Sequence, residues 1–132
     1  MEPQPSTTAR TQPGAWRWLF WAYWLVLTIA LLWPNLTAPE VIPRPDLVVH
    51  GVAFGLFSLL LCIWNPAGSA RRVHVATLAF VAGIAYGGAT ELLQSIPALK
   101  RSAAWDDWGA DVFGVVCGLV VYALIRPGPR AR

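Results

Sequence analysis

Four apolar runs dominate this chain, each close to the roughly 20 residues that a bilayer-crossing helix needs, and a proline follows each of them. The first is expected from Trp16 to Trp33, closed by Pro34, and the second from Leu47 to Trp64, closed by Asn65-Pro66. The third is expected from Val73 to Ile96, closed by Pro97, and the fourth from Trp105 to Ile125, closed by Arg126-Pro127. Proline lacks an N–H and its ring clashes with the preceding turn, so it marks where each helix stops. The chain has 132 residues, of which 56% are hydrophobic and 13% charged, against about 25% charged in a soluble domain. A soluble fold this small keeps too much surface to bury that apolar content.

The expected fold class is therefore all-α: a polytopic membrane protein with four transmembrane helices in a bundle. The transmembrane domain is expected over residues 16–126, between polar tails at 1–15 and 127–132 that are expected to be disordered. The first run is read as a retained helix. It is longer than a signal-peptide core, and no A-x-A cleavage site follows it.

Lysine and arginine set the expected orientation. Arg10, Arg17, Arg71, Arg72, Arg126, Arg130 and Arg132 fall on one side, against Arg44, Lys100 and Arg101 on the other. Both termini are thus expected to be cytoplasmic. Trp16, Trp18, Trp33, Trp64, Trp105 and Trp108 stand where an interfacial aromatic belt belongs. No basic patch is interleaved with aromatics in a polar segment, so no nucleic-acid partner is expected. Cys62 and Cys117 lie inside apolar runs, without disulfide or metal spacing, and are read as buried apolar residues.

The polar residues of the spans gather at the other side. Asp46 and His50 are spaced i, i+4 at the start of the second span, on one helix face. Asp46 also suits a helix start, where an acid is favoured by capping and by the dipole. Glu91 and Gln94, spaced i, i+3, share a face near the end of the third span. An ionised Glu91 facing lipid is costly, so it is expected to face the bundle and a partner, with Arg101 and Lys100 as candidates. Asp107, Asp111, Gly114 and Gly118 form one stripe down the fourth span. Gly114 and Gly118, with Gly51, Gly55, Gly83 and Gly87, are expected to let helices approach closely. Asp111, about one turn inside its span, is a functional candidate because intramembrane acids are expensive. His74 is read as a solvated residue at the cytoplasmic edge.

Two stretches, "DLVVHGVAFGLFSLLL" and "ELLQSIPALKRSAAWDDWGADVFGVVCG", resemble the VanZ-like family of small bacterial membrane proteins. The resemblance covers about 46–124 and carries Asp46, His50, Glu91, Gln94, Arg101, Asp107, Gly114 and Gly118 at the family's spacing. Leu47 stands where the family has lysine, and Asp111 where it most often has asparagine. The resemblance implies a multi-pass protein of the cell membrane and an association with reduced susceptibility to the lipoglycopeptide teicoplanin.

The leading functional expectation is an outward-facing polar pocket built from Asp46, His50, Glu91, Gln94, Arg101, Asp107 and Asp111. Its expected partners are membrane lipids and a lipid-linked cell-wall precursor. Arg101 would bind phosphate or carboxylate, while His50, Glu91 and Asp107 exchange hydrogen bonds and Asp46 orients His50. The alternatives are an intramembrane enzyme acting on a lipid-linked phosphate or ester, and a structural subunit whose polar cluster fixes helix packing. No H-E-x-x-H, G-x-S-x-G or cysteine-ligand motif supports a particular reaction. A single histidine argues against a strong transition-metal site, and magnesium would suit the carboxylates better. No catalytic residue, metal or cofactor is therefore assigned. A transporter is disfavoured, because the acids do not continue toward the cytoplasmic side.

Overall fold

The computed structural model describes residues 14–34, 43–65, 71–99 and 103–125. It contains four long helices, α1 (Gly14–Leu32), α2 (Pro45–Trp64), α3 (Arg72–Gln94) and α4 (Trp105–Ile125), with a short 3-10 turn at Pro97–Leu99. All four are long and apolar enough to cross a membrane. The two polar tails lie outside the described residues, apart from Gly14 and Ala15 at the start of α1.

The helix ends differ from expectation for local reasons. α2 begins at Pro45 rather than Leu47, because proline suits the first turn, where its missing N–H has no intrahelical partner. Arg44 precedes it in the left-handed conformation, at φ 50°. α3 stops at Gln94 rather than Ile96. Pro97 disfavours helical backbone at the residue before it, and the chain tightens through Ser95 N–H to the Glu91 carbonyl and Ile96 N–H to the Leu93 carbonyl.

Pairwise contacts fix the topology. Phe20 of α1 packs on Phe57 and Trp64 of α2, and the Tyr23 hydroxyl donates to the Ala53 carbonyl at 2.6 Å, so these helices are antiparallel. Gly83 faces Val115 and Gly87 faces Asp111, which makes α3 and α4 antiparallel. Gly51 meets Gly114 and Gly55 meets Gly118, so α2 and α4 run parallel. The result is an up-down-up-down bundle in which Gly14 and Ile125 share one end.

α2 and α4 form the most extensive helix pair. A side chain on Gly114 or Gly118 would collide with the carbonyl of Gly51 or Gly55. Small-residue stripes of this kind give the close backbone approach typical of packed membrane helices. Ser58 continues the seam, donating to the carbonyls of Gly55 and Val115 at 3.0 and 3.1 Å. On the other side of α2, Phe54, Phe57 and Tyr86 pack ring against ring, and the Tyr86 and Thr28 hydroxyls meet at 2.7 Å. Large apolar side chains such as Val73, Leu92, Phe113 and Leu124 remain exposed, as expected where lipid is the solvent.

Candidate functional site

The α2–α4 seam brings two polar side chains together in the bundle interior. His50 Nδ1 lies 2.8 Å from Asp111 Oδ1, with both side chains buried. With Asp111 ionised, the carboxylate accepts and the ring donates through Nδ1–H. This contact depends on the glycine one turn further along α4, because a side chain at Gly114 would run into the Gly51 backbone and hold α4 away from the imidazole.

Glu91 enters from α3. One of its oxygens, Oε2, accepts the Ala104 N–H at 2.9 Å and ties the end of α3 to the start of α4. One ligand-capable atom each from His50, Glu91 and Asp111 lies within 4.8 Å of the other two, and all three residues are buried. Gln94, one turn further along α3, is fully buried and donates through Nε2 to the Leu31 carbonyl at 2.9 Å. That carbonyl belongs to the last turn of α1, where no intrahelical N–H remains to pair with it. Gln94 therefore fastens α1 to the polar end of the bundle. Asp107 is also buried, one turn before Asp111 on α4.

In all three of these pairs, one polar atom fixes the side chain and its twin has no partner. Among the described residues, Glu91 Oε1, Gln94 Oε1 and Asp111 Oδ2 are buried without a hydrogen bond. Unpaired buried oxygens are rare, because desolvating one costs about 1–3 kcal/mol.

Not every expected site residue joins this cluster. Asp46 is exposed in the first turn of α2, and His50 pairs with Asp111 instead. The role given to Asp46 in orienting His50 is thus corrected: the orienting carboxylate comes from α4, through the glycine seam. Arg101 and Lys100 lie outside the described residues. Glu91, for which they were candidate partners, bonds to the backbone of Ala104. The glycines Gly51, Gly55, Gly83, Gly87, Gly114 and Gly118 all sit at helix contacts, Gly87 directly against Asp111. Of the cysteines, Cys62 is buried as expected but Cys117 is exposed. His74 is exposed at the start of α3.

One ion pair was not anticipated. Arg44 donates to Asp106 Oδ2 at 2.8 Å, and both side chains are well exposed. The hydrogen bond to Asp106 holds the guanidinium pKa above its ordinary value. Ser58 was also missed, although its spacing from Gly51 and Gly55 places it on the same stripe.

Two hollows flank the cluster. A cavity of about 270 Å³ is lined by Gly88, Glu91, Ala103, Ala104, Trp105 and Trp108, and so has Glu91 in its wall. Trp108 is held there by its Nε1–H, which donates to the Ile84 carbonyl at 3.3 Å. A larger groove of about 620 Å³ runs along the α2–α4 seam past Val52, Leu56, Phe113 and Val121, with Asp106 at one end.

Compared with known proteins, the chain matches no family model, no curated protein and no solved structure.

Proposed function

We propose that this chain is a VanZ-like integral protein of the cell membrane whose polar pocket binds the charged head of an envelope lipid or lipid-linked cell-wall precursor. The observation that carries the reading is the joint burial of His50, Glu91, Gln94, Asp107 and Asp111 at one end of a lipid-compatible bundle. His50, Glu91, Gln94 and Asp107 occupy positions at which the sequence resembles the family, while Asp111 stands where the family most often has asparagine. Intramembrane polar residues that face the bundle interior mark functional sites by default. The cavity beside Glu91 gives a head group a place to sit, and the apolar α2–α4 groove gives an acyl chain a path beside it.

The asymmetry of arginine and lysine supports an orientation with both termini in the cytoplasm and this pocket facing outward. Occupancy of a precursor at that surface would keep a lipophilic glycopeptide from anchoring beside its target. Lowered teicoplanin susceptibility is the phenotype that follows.

The test is growth of a sensitive Gram-positive host in teicoplanin, with vancomycin as control. The normal chain is compared with Glu91→Gln and Asp107→Asn at matched membrane levels. Protection by the normal chain that both variants lose is the expected result. A well-inserted normal chain that gives no protection overturns the resistance role. A single cysteine placed in the N-terminal tail checks orientation: labelling by an impermeant maleimide in intact cells would reverse the proposed topology.

A further inference from the structure

We propose that His50, Glu91 and Asp111 form a binding site for one divalent cation that accepts mixed nitrogen and oxygen ligands, of which Mn²⁺ is the working probe. The inference goes beyond the family reading and does not depend on it.

Three helices converge on the site. α2 supplies an imidazole nitrogen, α3 a carboxylate oxygen and α4 a second carboxylate oxygen, with the three atoms within 4.8 Å of one another. Two ligands at opposite sides of a cation bonded at about 2.1 Å stand about 4.2 Å apart, and adjacent ones about 3 Å. The His50 Nδ1 to Asp111 Oδ1 distance of 2.8 Å already matches an adjacent pair. The Glu91 carboxylate has to move in by the remainder for all three atoms to hold one cation. On binding, the cation replaces the proton shared by His50 and Asp111, and that proton leaves to solvent.

Acidic residues brought together do not by themselves make a metal site. The second observation is the unpartnered oxygens. Asp111 is 0% exposed and Glu91 7% exposed, yet Asp111 Oδ2 and Glu91 Oε1 have no hydrogen-bond donor among the described residues. Each carboxylate is held through one oxygen and keeps the other buried without a donor among the described residues. Two buried carboxylates in a lipid-surrounded bundle need a counter-charge, since an unpaired ion there is costly. Among the described residues, Arg44 is the only lysine or arginine at this end of the bundle, and it pairs with exposed Asp106. The competing source of positive charge is Arg101 or Lys100.

The donor set selects the ion class. One imidazole with two carboxylates suits a borderline-hard first-row cation such as Mn²⁺, or Zn²⁺ with an open position. Magnesium, which the carboxylates taken alone would suit, keeps its waters and gains little from the imidazole that the fold brings into the set. The cavity that reaches Glu91 offers the entry path.

The experiment uses the full chain purified in detergent, stripped with chelator and titrated with Mn²⁺ while electron paramagnetic resonance follows the loss of the free-ion signal. One bound Mn²⁺ per chain is expected, with a single nitrogen coupling from His50, displaced by Zn²⁺ but not by a large excess of Mg²⁺. Glu91→Gln and Asp111→Asn should each weaken binding by more than the about 10–100-fold seen when a supporting residue is removed. Asp106→Asn should leave it unchanged. Circular dichroism and monodispersity exclude misfolded variants, and the nitrogen coupling is read on the normal chain, so the proposal is testable even where a variant fails to fold. Absence of bound Mn²⁺ in the monodisperse normal chain overturns the proposal. So does binding that appears only in Arg101→Gln, which would assign the counter-charge to Arg101.

Discussion

His50 on α2 and Asp111 on α4 are joined by a 2.8 Å hydrogen bond inside the bundle, although 61 positions separate them in the chain. The pair crosses the helix seam at its polar end and couples the two spans in rotation as well as in distance. Interhelical polar contacts in membranes average about 0.6 kcal/mol and reach about 1.7 kcal/mol. A double-mutant cycle of His50→Ala and Asp111→Ala, read by unfolding in mixed detergent, should give a coupling of about 0.6–1.7 kcal/mol. Strictly additive losses would mean that the two side chains do not support one another.

The glycines of α4 should separate cleanly into two kinds. A methyl group at Gly114 runs into the Gly51 backbone, which cannot move aside as a flexible side chain does. Gly114→Ala should therefore destabilise the bundle by about 1–3 kcal/mol, the usual cost of overpacking. Gly109 has open space around it, so Gly109→Ala should be neutral or stabilise by up to about 1 kcal/mol through better helix propensity. Equal effects of the two substitutions in one unfolding assay would refute the α2–α4 seam.

Gln94 should act on α1 more than on its own helix. Gln94→Leu keeps the bulk but removes the donor to the Leu31 carbonyl. The expected loss is about 1 kcal/mol, with faster hydrogen exchange in the last turn of α1. If exchange in that turn stayed unchanged while α3 loosened, the cap assignment would be wrong.

The two thiols should differ in access. Cys117 is exposed in the groove along α2 and α4, whereas Cys62 is fully buried. In a detergent micelle, a membrane-soluble maleimide should label Cys117 first, and Cys62 only after unfolding in dodecyl sulfate. Mass spectrometry of timed samples gives the order directly, and early labelling of Cys62 would contradict the packing of α2.

Much of the site was legible before folding because its signals are local. Glu91 and Gln94 stand out as polar residues in an apolar span, and Asp107, Asp111, Gly114 and Gly118 share one helical stripe. The partner of each was not legible. Asp46 is the nearest acid to His50 in sequence and lies on the same face by spacing, yet it is exposed. A first-turn residue stands at the rim of the bundle, whereas Asp111, an intramembrane acid on α4, is carried inward by a glycine contact. Arg44 and Asp106 belong to segments that look unrelated until the parallel packing of α2 and α4 sets them side by side.

The sequence by itself determined the number, length and apolar character of the helices, because span length and proline stops are properties of consecutive residues. It also determined which faces are small enough to touch. Only the tertiary structure decided that α2 and α4 form the tight parallel pair, and that His50, Glu91 and Asp111 converge from three helices. That choice depends on how each helix is rotated about its axis. Rotation is set by the summed contacts of the Gly51–Gly55–Ser58 and Gly114–Gly118 faces, together with the aromatic packing of Phe54, Phe57 and Tyr86, and not by any one segment of the chain.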